Sequence, residues 1–116
     1  MEGQRFRKLK VWEKAVDFIE SIYRSTAVFP KEEMYGLTNQ IKRSAVSIAL
    51  NIAEGSGTES DKEFNRYLTI ALSSAYEVMC GIELAKRLQF IKDDESSELL
   101  KNVDEVSAMI TGLKKS

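Results

Sequence analysis

The chain has 116 residues, 43% hydrophobic and 30% charged, which suits one globular domain and excludes a disordered one. A formal net charge of −1 excludes an overall field that would draw in nucleic acid. With no His and a single Cys, Cys80, one chain cannot build a disulfide scaffold, a thiolate or imidazole zinc site, or a His-dependent nucleophile.

Strand-type alternation is almost absent, and Pro occurs once. The expected fold class is therefore all-α. Residues 1–8 read as a flexible basic arm, and residues 9–116 as one helical domain. Arg5, Arg7, Lys8, Lys10 and Lys14 form the only basic cluster. It reads either as a solvated arm or as a phosphate-binding one. Charge is uneven: residues 1–43 carry nine Lys/Arg against six Asp/Glu, and residues 44–116 carry eight against twelve. The N-terminus lacks the apolar core of a signal peptide. No run approaches the roughly 20 apolar residues of a membrane span. A cytoplasmic protein is expected.

The first helix is expected over 9–27, with Trp12, Ala15, Val16, Ile19, Ile22 and Tyr23 as its apolar stripe. Phe18 lies off that stripe and, if exposed, is a candidate subunit contact. Pro30 ends the helix by forcing Phe29 out of the α region. After a short turn over 31–35, Gly36 precedes a second helix over 37–54, with Gly55 placed as a left-handed residue beyond its end. Ser60 and Glu63 make a capping box for a third helix reaching about Gln89. Phe64, Leu68, Ala71, Ala75, Val78, Ile82, Ala85 and Leu88 form its stripe, and Cys80 reads as a small core residue. Gly81 inside this helix costs about 1 kcal/mol relative to Ala, which points to a close helix–helix approach. Asp93 or Asp94 caps the last helix, lined by Leu99, Val103, Val106, Ile110 and Leu113. Four amphipathic helices with short turns predict an up-down-up-down four-helix bundle.

The second helix is unusual because a polar stripe runs beside its apolar one. Gln40, Arg43, Ser47, Asn51 and Glu54 recur at helical spacing over four turns. An antiparallel hairpin turning near residue 58 sets residues level when their numbers sum to about 117. That register predicts one polar ladder of Gln40, Arg43, Ser47, Asn51 and Glu54 with Arg66, Ser74 and Glu77. Arg43–Glu77 and Arg66–Glu54 are its expected ion pairs, because a planar guanidinium suits a carboxylate. The ladder reads as a device fixing register, as a subunit interface, or as a ligand site. Glu54 and Glu77 fall at opposite ends of it, beyond the roughly 10 Å that paired-carboxylate chemistry allows. No metal ligand set, cofactor motif or catalytic constellation is expected. Gly55–Ser56–Gly57 alone is a turn.

The run from Phe29 to Gly57 and then Glu63–Val78 resembles the four-helix bundle proteins encoded in intervening sequences of bacterial 23S ribosomal RNA genes. The most specific part is Gln40, Arg43, Ser47–Ile48 and Asn51–Ile52–Ala53–Glu54–Gly55, continued by Phe64, Tyr67, Leu68, Ala71, Ser74 and Glu77. Ala49–Leu50 and Ser73 depart from the residues common in that family. The resemblance implies a ring-shaped homopentamer. It also extends to bundle proteins that accompany reverse transcriptases and bind nucleic acid through a basic surface. Two functions stay open: a non-enzymatic oligomer that contacts RNA or a ribonucleoprotein, and a self-assembling adaptor that binds a protein partner of the reverse-transcriptase kind. The second is favoured by the acidic total and by the lack of an aromatic platform on any basic face.

Overall fold

Four segments carry apolar residues at helical spacing, and each is a helix in the computed structural model, which describes residues 6, 7 and 9–114. They are α1 (Lys10–Thr26), α2 (Leu37–Ser56), α3 (Asp61–Arg87) and α4 (Asp93–Leu113). No strand occurs among the described residues. Arg5 and Lys8 lie outside them.

The helix ends follow local chemistry. Ser60 Oγ accepts the Glu63 backbone N–H at 3.1 Å and starts α3. Glu33, in a 3-10 turn at Lys31–Glu33, places Oε1 3.1 Å from the Leu37 amide and caps α2 from outside. A carboxylate there also meets the positive end of the helix dipole. Beyond the C-cap Leu88, α3 is closed by Gln89, the one non-glycine residue with positive φ (63°) among the described residues. The Phe90 amide donates to Ala85 O at 2.9 Å and the Gln89 amide to Lys86 O at 3.0 Å, which is a Schellman closure. α4 starts one residue after Lys92, which supplies no side-chain cap; the Asp94 carboxylate instead accepts the Glu95 amide at 2.8 Å.

Each helix touches two neighbours: α1 meets α2 and α4, and α3 meets α2 and α4. Together they enclose one apolar core within a body of 44 × 23 × 19 Å. α1 and α4 run antiparallel. Lys14 Nζ bonds Glu105 Oε2 at 2.7 Å near one end, and Ser25 Oγ donates to Glu95 Oε2 at 2.7 Å near the other.

The buried face of α1 is rotated from the expected one. It comprises Val11, Ala15, Phe18 and Ile22, at steps of four, three and four. Phe18 is therefore core, at 2% exposure, and not a subunit contact. Trp12 and Ile19 flank the core, and Tyr23 is 46% exposed. Cys80 is exposed, also against expectation. It stands two residues from Val78 and Ile82, both buried, and two helical steps carry a side chain to the opposite side. α3 is long and apolar enough by composition to cross a membrane, yet its buried stripe packs on the other helices, while Glu77 and Glu83 are exposed.

Candidate functional site

The seam between α2 and α3 is built on small residues. A Cβ placed on Gly81 would lie 2.6 Å from Ile41 Cγ1. One on Gly55 would lie 2.7 Å from Tyr67 Cβ and 2.9 Å from Phe64 Cδ1. The two helices thus approach closely at both ends of their contact, as Gly81 suggested. Gly55 serves this approach too; it is a buried helical residue inside α2, not a left-handed one beyond it.

Between these glycines sits a polar clip that crosses the seam. Ser47 Oγ and Ser74 Oγ are 2.8 Å apart. Asn51 Nδ2 donates to Ser47 O at 2.8 Å and to Ser47 Oγ at 3.0 Å. Ser74 is 4% exposed, so its hydroxyl needs that partner. Gly55 meets Tyr67, Ser47 meets Ser74 and Ile41 meets Gly81, so α2 and α3 run antiparallel, but the Ser47–Ser74 numbers sum to about 121, not 117. Side chains lean toward the N-terminus of their own helix, which raises both numbers of an antiparallel contact pair by about one. The remainder is stagger between the helix ends.

The charged rungs of the expected ladder do not close. Neither Arg43–Glu77 nor Arg66–Glu54 forms an ion pair within 4.0 Å. Arg66 turns to its own helix: Nη2 lies 3.2 Å from Glu63 Oε1, and the guanidinium stands 4.5 Å from the Tyr67 ring centroid. The hydrogen bond that Arg66 donates to Glu63, and the charge of that carboxylate, hold Arg66 above its ordinary range. Gln40, Arg43, Glu54 and Glu77 are all exposed. The physical reason is the tight seam. Helices that meet on Gly and Ser leave no depth for long side chains, so these stay in water. Exposed pairs gain little by closing.

The basic cluster is divided as well. Lys14 is tied to Glu105 across α1 and α4; their hydrogen bond holds Lys14 above, and Glu105 below, their ordinary ranges. Lys10 borders a groove that also contains Glu13 and Asp17. The Arg7 guanidinium stands 5.8 Å from the Phe6 ring, which in turn packs edge-on against Trp12 at 4.9 Å.

Arg43 lies elsewhere than the ladder reading places it. It lines a groove of about 490 Å³ over the outer face of α2, beside Lys42 and Tyr23. Lys42 Nζ is 4.4 Å from the Tyr23 ring centroid. Tyr23 belongs to α1 and the two cations to α2, so sequence spacing alone carried no signal of this juxtaposition. It overturns the expectation that no basic face bears an aromatic ring. Among the described residues, no group of three or more His, Cys, Asp or Glu converges as metal ligands would.

The family model for the 23S rRNA-intervening sequence protein matches residues 7–112. A crystal structure at 1.70 Å of a protein of unknown function from the S23 ribosomal protein family of Bacteroides thetaiotaomicron VPI-5482 has a similar fold. The TM-score is 0.84 with 25% identity, over 91% of this chain and 99% of that one. No curated protein matches the sequence. A helical body with a glycine- and serine-lined seam, matched over 7–112 by one family model, places this chain in the 23S rRNA-intervening sequence protein family.

Proposed function

We propose that this chain is a non-enzymatic RNA-binding protein of the cytoplasm, an up-down-up-down four-helix bundle that assembles as a ring-shaped homopentamer. The observation that carries the RNA reading is the cationic surface of Lys42 and Arg43, in a chain whose family is described by its link to 23S rRNA. Repetition around a ring supports it further. One near-neutral chain binds phosphate weakly, but several copies of one cationic patch bind together with a high effective concentration. Self-assembly is supported by the apolar side chains left in water. Val28 is 78% exposed, Met34 53% and Tyr35 90%.

Two measurements test this reading. Light scattering on purified protein is expected to give five times the 13.1 kDa chain mass. A gel-shift titration against structured RNA is expected to show binding at about 50 mM salt that weakens as salt rises. Monomeric scattering refutes the ring, and absence of binding, or binding indifferent to salt, refutes the RNA reading.

A second reading, an adaptor for a protein partner of the reverse-transcriptase kind, is supported by a separate feature. Val28, Met34, Tyr35, Leu84 and Leu88 are exposed around the α1–α2 connection and the end of α3. Exposed apolar clusters of this kind favour protein contacts. A pull-down that retains a protein after nuclease treatment would favour this alternative.

A further inference from the structure

We infer that the groove over the outer face of α2, bordered by Tyr23, Lys42, Arg43 and Leu50, is a binding site for a single-stranded RNA segment. It takes a phosphate on the two cations and a base against the Tyr23–Leu50 side. The inference rests on the RNA reading above and names the surface that would carry it.

Charge is the first argument. Lys42 and Arg43 border the groove and no carboxylate does. Two other surface grooves hold both signs: Lys10 and Lys14 with Glu13 and Asp17 between α1 and α4, and Lys101 with Glu83 and Asp104 between α3 and α4. Lys14 and Arg66 are each bound to a carboxylate, whereas Arg43 has no hydrogen-bond or ion-pair partner among the described residues. A planar guanidinium kept unpaired beside a second cation suits a phosphate, which it can hold through two parallel hydrogen bonds.

Shape and chemistry supply the second. A nucleotide presents an anion and a flat, weakly polar base. The groove presents cations next to Tyr23 and the apolar Val46 and Leu50, with Tyr23 46% and Leu50 63% exposed. Aromatic contact with bases is tolerant of sequence. Asn51 also borders the groove, and its Nδ2 is spent on Ser47, which leaves Oδ1 as an acceptor. A 2′-hydroxyl is a donor that DNA lacks, so this oxygen favours RNA over DNA.

The test uses the full chain and a fluorescein-labelled single-stranded RNA of mixed sequence, about 15 nucleotides long, read by anisotropy. Each phosphate contact to a single strand contributes a salt slope of about 0.7, or about fivefold in affinity at about 0.1 M salt. The double substitution Lys42→Gln, Arg43→Gln removes the one phosphate contact and is expected to weaken binding about fivefold and to flatten the slope by about 0.7. Tyr23→Ala is expected to lose about fivefold or more while Tyr23→Phe keeps wild-type affinity. Both cations are on the surface, so circular dichroism should be unchanged. If the wild-type chain binds and the double variant stays within about twofold of it, the groove is wrong and the RNA reading survives. If the wild-type chain does not bind, both fall. A variant that changes the light-scattering mass but keeps its RNA affinity marks this face as a contact between copies and overturns the proposal.

Discussion

Gly81→Ala is a test of sign. Helix propensity alone favours Ala over Gly by about 0.8–1.0 kcal/mol in a helix interior. The new methyl, however, would sit 2.6 Å from Ile41 Cγ1 and 3.2 Å from Ile41 Cδ1. Ile41 is 2% exposed and β-branched, and Cγ1 is one bond from its Cβ, so it cannot swing clear. Relief requires α2 and α3 to part, and overpacking of this kind costs about 1–3 kcal/mol. The net expectation is a loss of about 1 kcal/mol, or about 4 °C in Tm for a chain of this size. Gly112→Ala is the internal control, because nothing stands within 4 Å of its Cβ position. There the propensity gain should appear as stabilisation. Ile41→Ala supplies a double-mutant cycle. Alone it costs about 3 kcal/mol, and in the Gly81→Ala background about 2 kcal/mol less, since the two side chains no longer compete for one space. Urea unfolding of the wild type and these four variants reads all of these. If Gly81→Ala stabilises as Gly112→Ala does, the close approach of α2 and α3 is not as described.

Three further outcomes follow from other parts of the molecule. Gln89→Gly removes a side chain held at φ 63° and should stabilise by about 0.5–1 kcal/mol in thermal melts, whereas Gln89→Ala should change little. Cys80 is exposed, so Ellman's reagent should modify it without denaturant; protection in the native protein would show that this side of α3 is covered. Glu105 has a folded-state pKa below its unfolded value, so its contribution is present above the unfolded carboxylate range and is lost as pH falls through the folded value. Glu105→Gln should therefore flatten the acid limb of Tm against pH and lower the neutral Tm only slightly, the pair being 49% and 42% exposed. An unchanged acid limb would refute that assignment.

The helices were legible because their signals are local. The Ser60–Glu63 cap, the steps of three and four in α3 and α4, and Pro30 after α1 each act within a turn or two of chain. Faces were harder. On α1, Trp12, Val16, Ile19 and Tyr23 are as regularly spaced as Val11, Ala15, Phe18 and Ile22, and hydrophobicity alone does not rank the stripes. The choice is made by what α2 and α4 cover, which is a tertiary fact. The ladder was half legible for a related reason. Periodicity placed Ser47 and Ser74 on facing helices, but whether Arg43 could reach Glu77 depended on how deep the seam is. That depth is set by Gly55 and Gly81, residues with no side chain to show in a polar pattern.

The block from Gln40 to Gly55 lies wholly within α2. Its residues answer to different neighbours at once. Ile41, Ala45, Ile48 and Ile52 fill the core at 2% exposure or less. Ser47 and Gly55 meet α3 at contact distance. Lys42 meets Tyr23 on α1. A helix used on this many sides tolerates few changes, so its residue pattern reports packing before it reports a ligand. Arg43 is the exception. Among the described residues it makes no hydrogen bond or ion pair to a neighbouring helix, and an exposed arginine gains the folded monomer little. Replacing Arg43 alone should therefore leave Tm within about 1 °C of wild type, since surface substitutions away from packed features stay within about 0.5 kcal/mol. Any loss of RNA affinity in that variant would then be a loss of binding and not of fold. A large drop in Tm would place Arg43 in the structural seam after all.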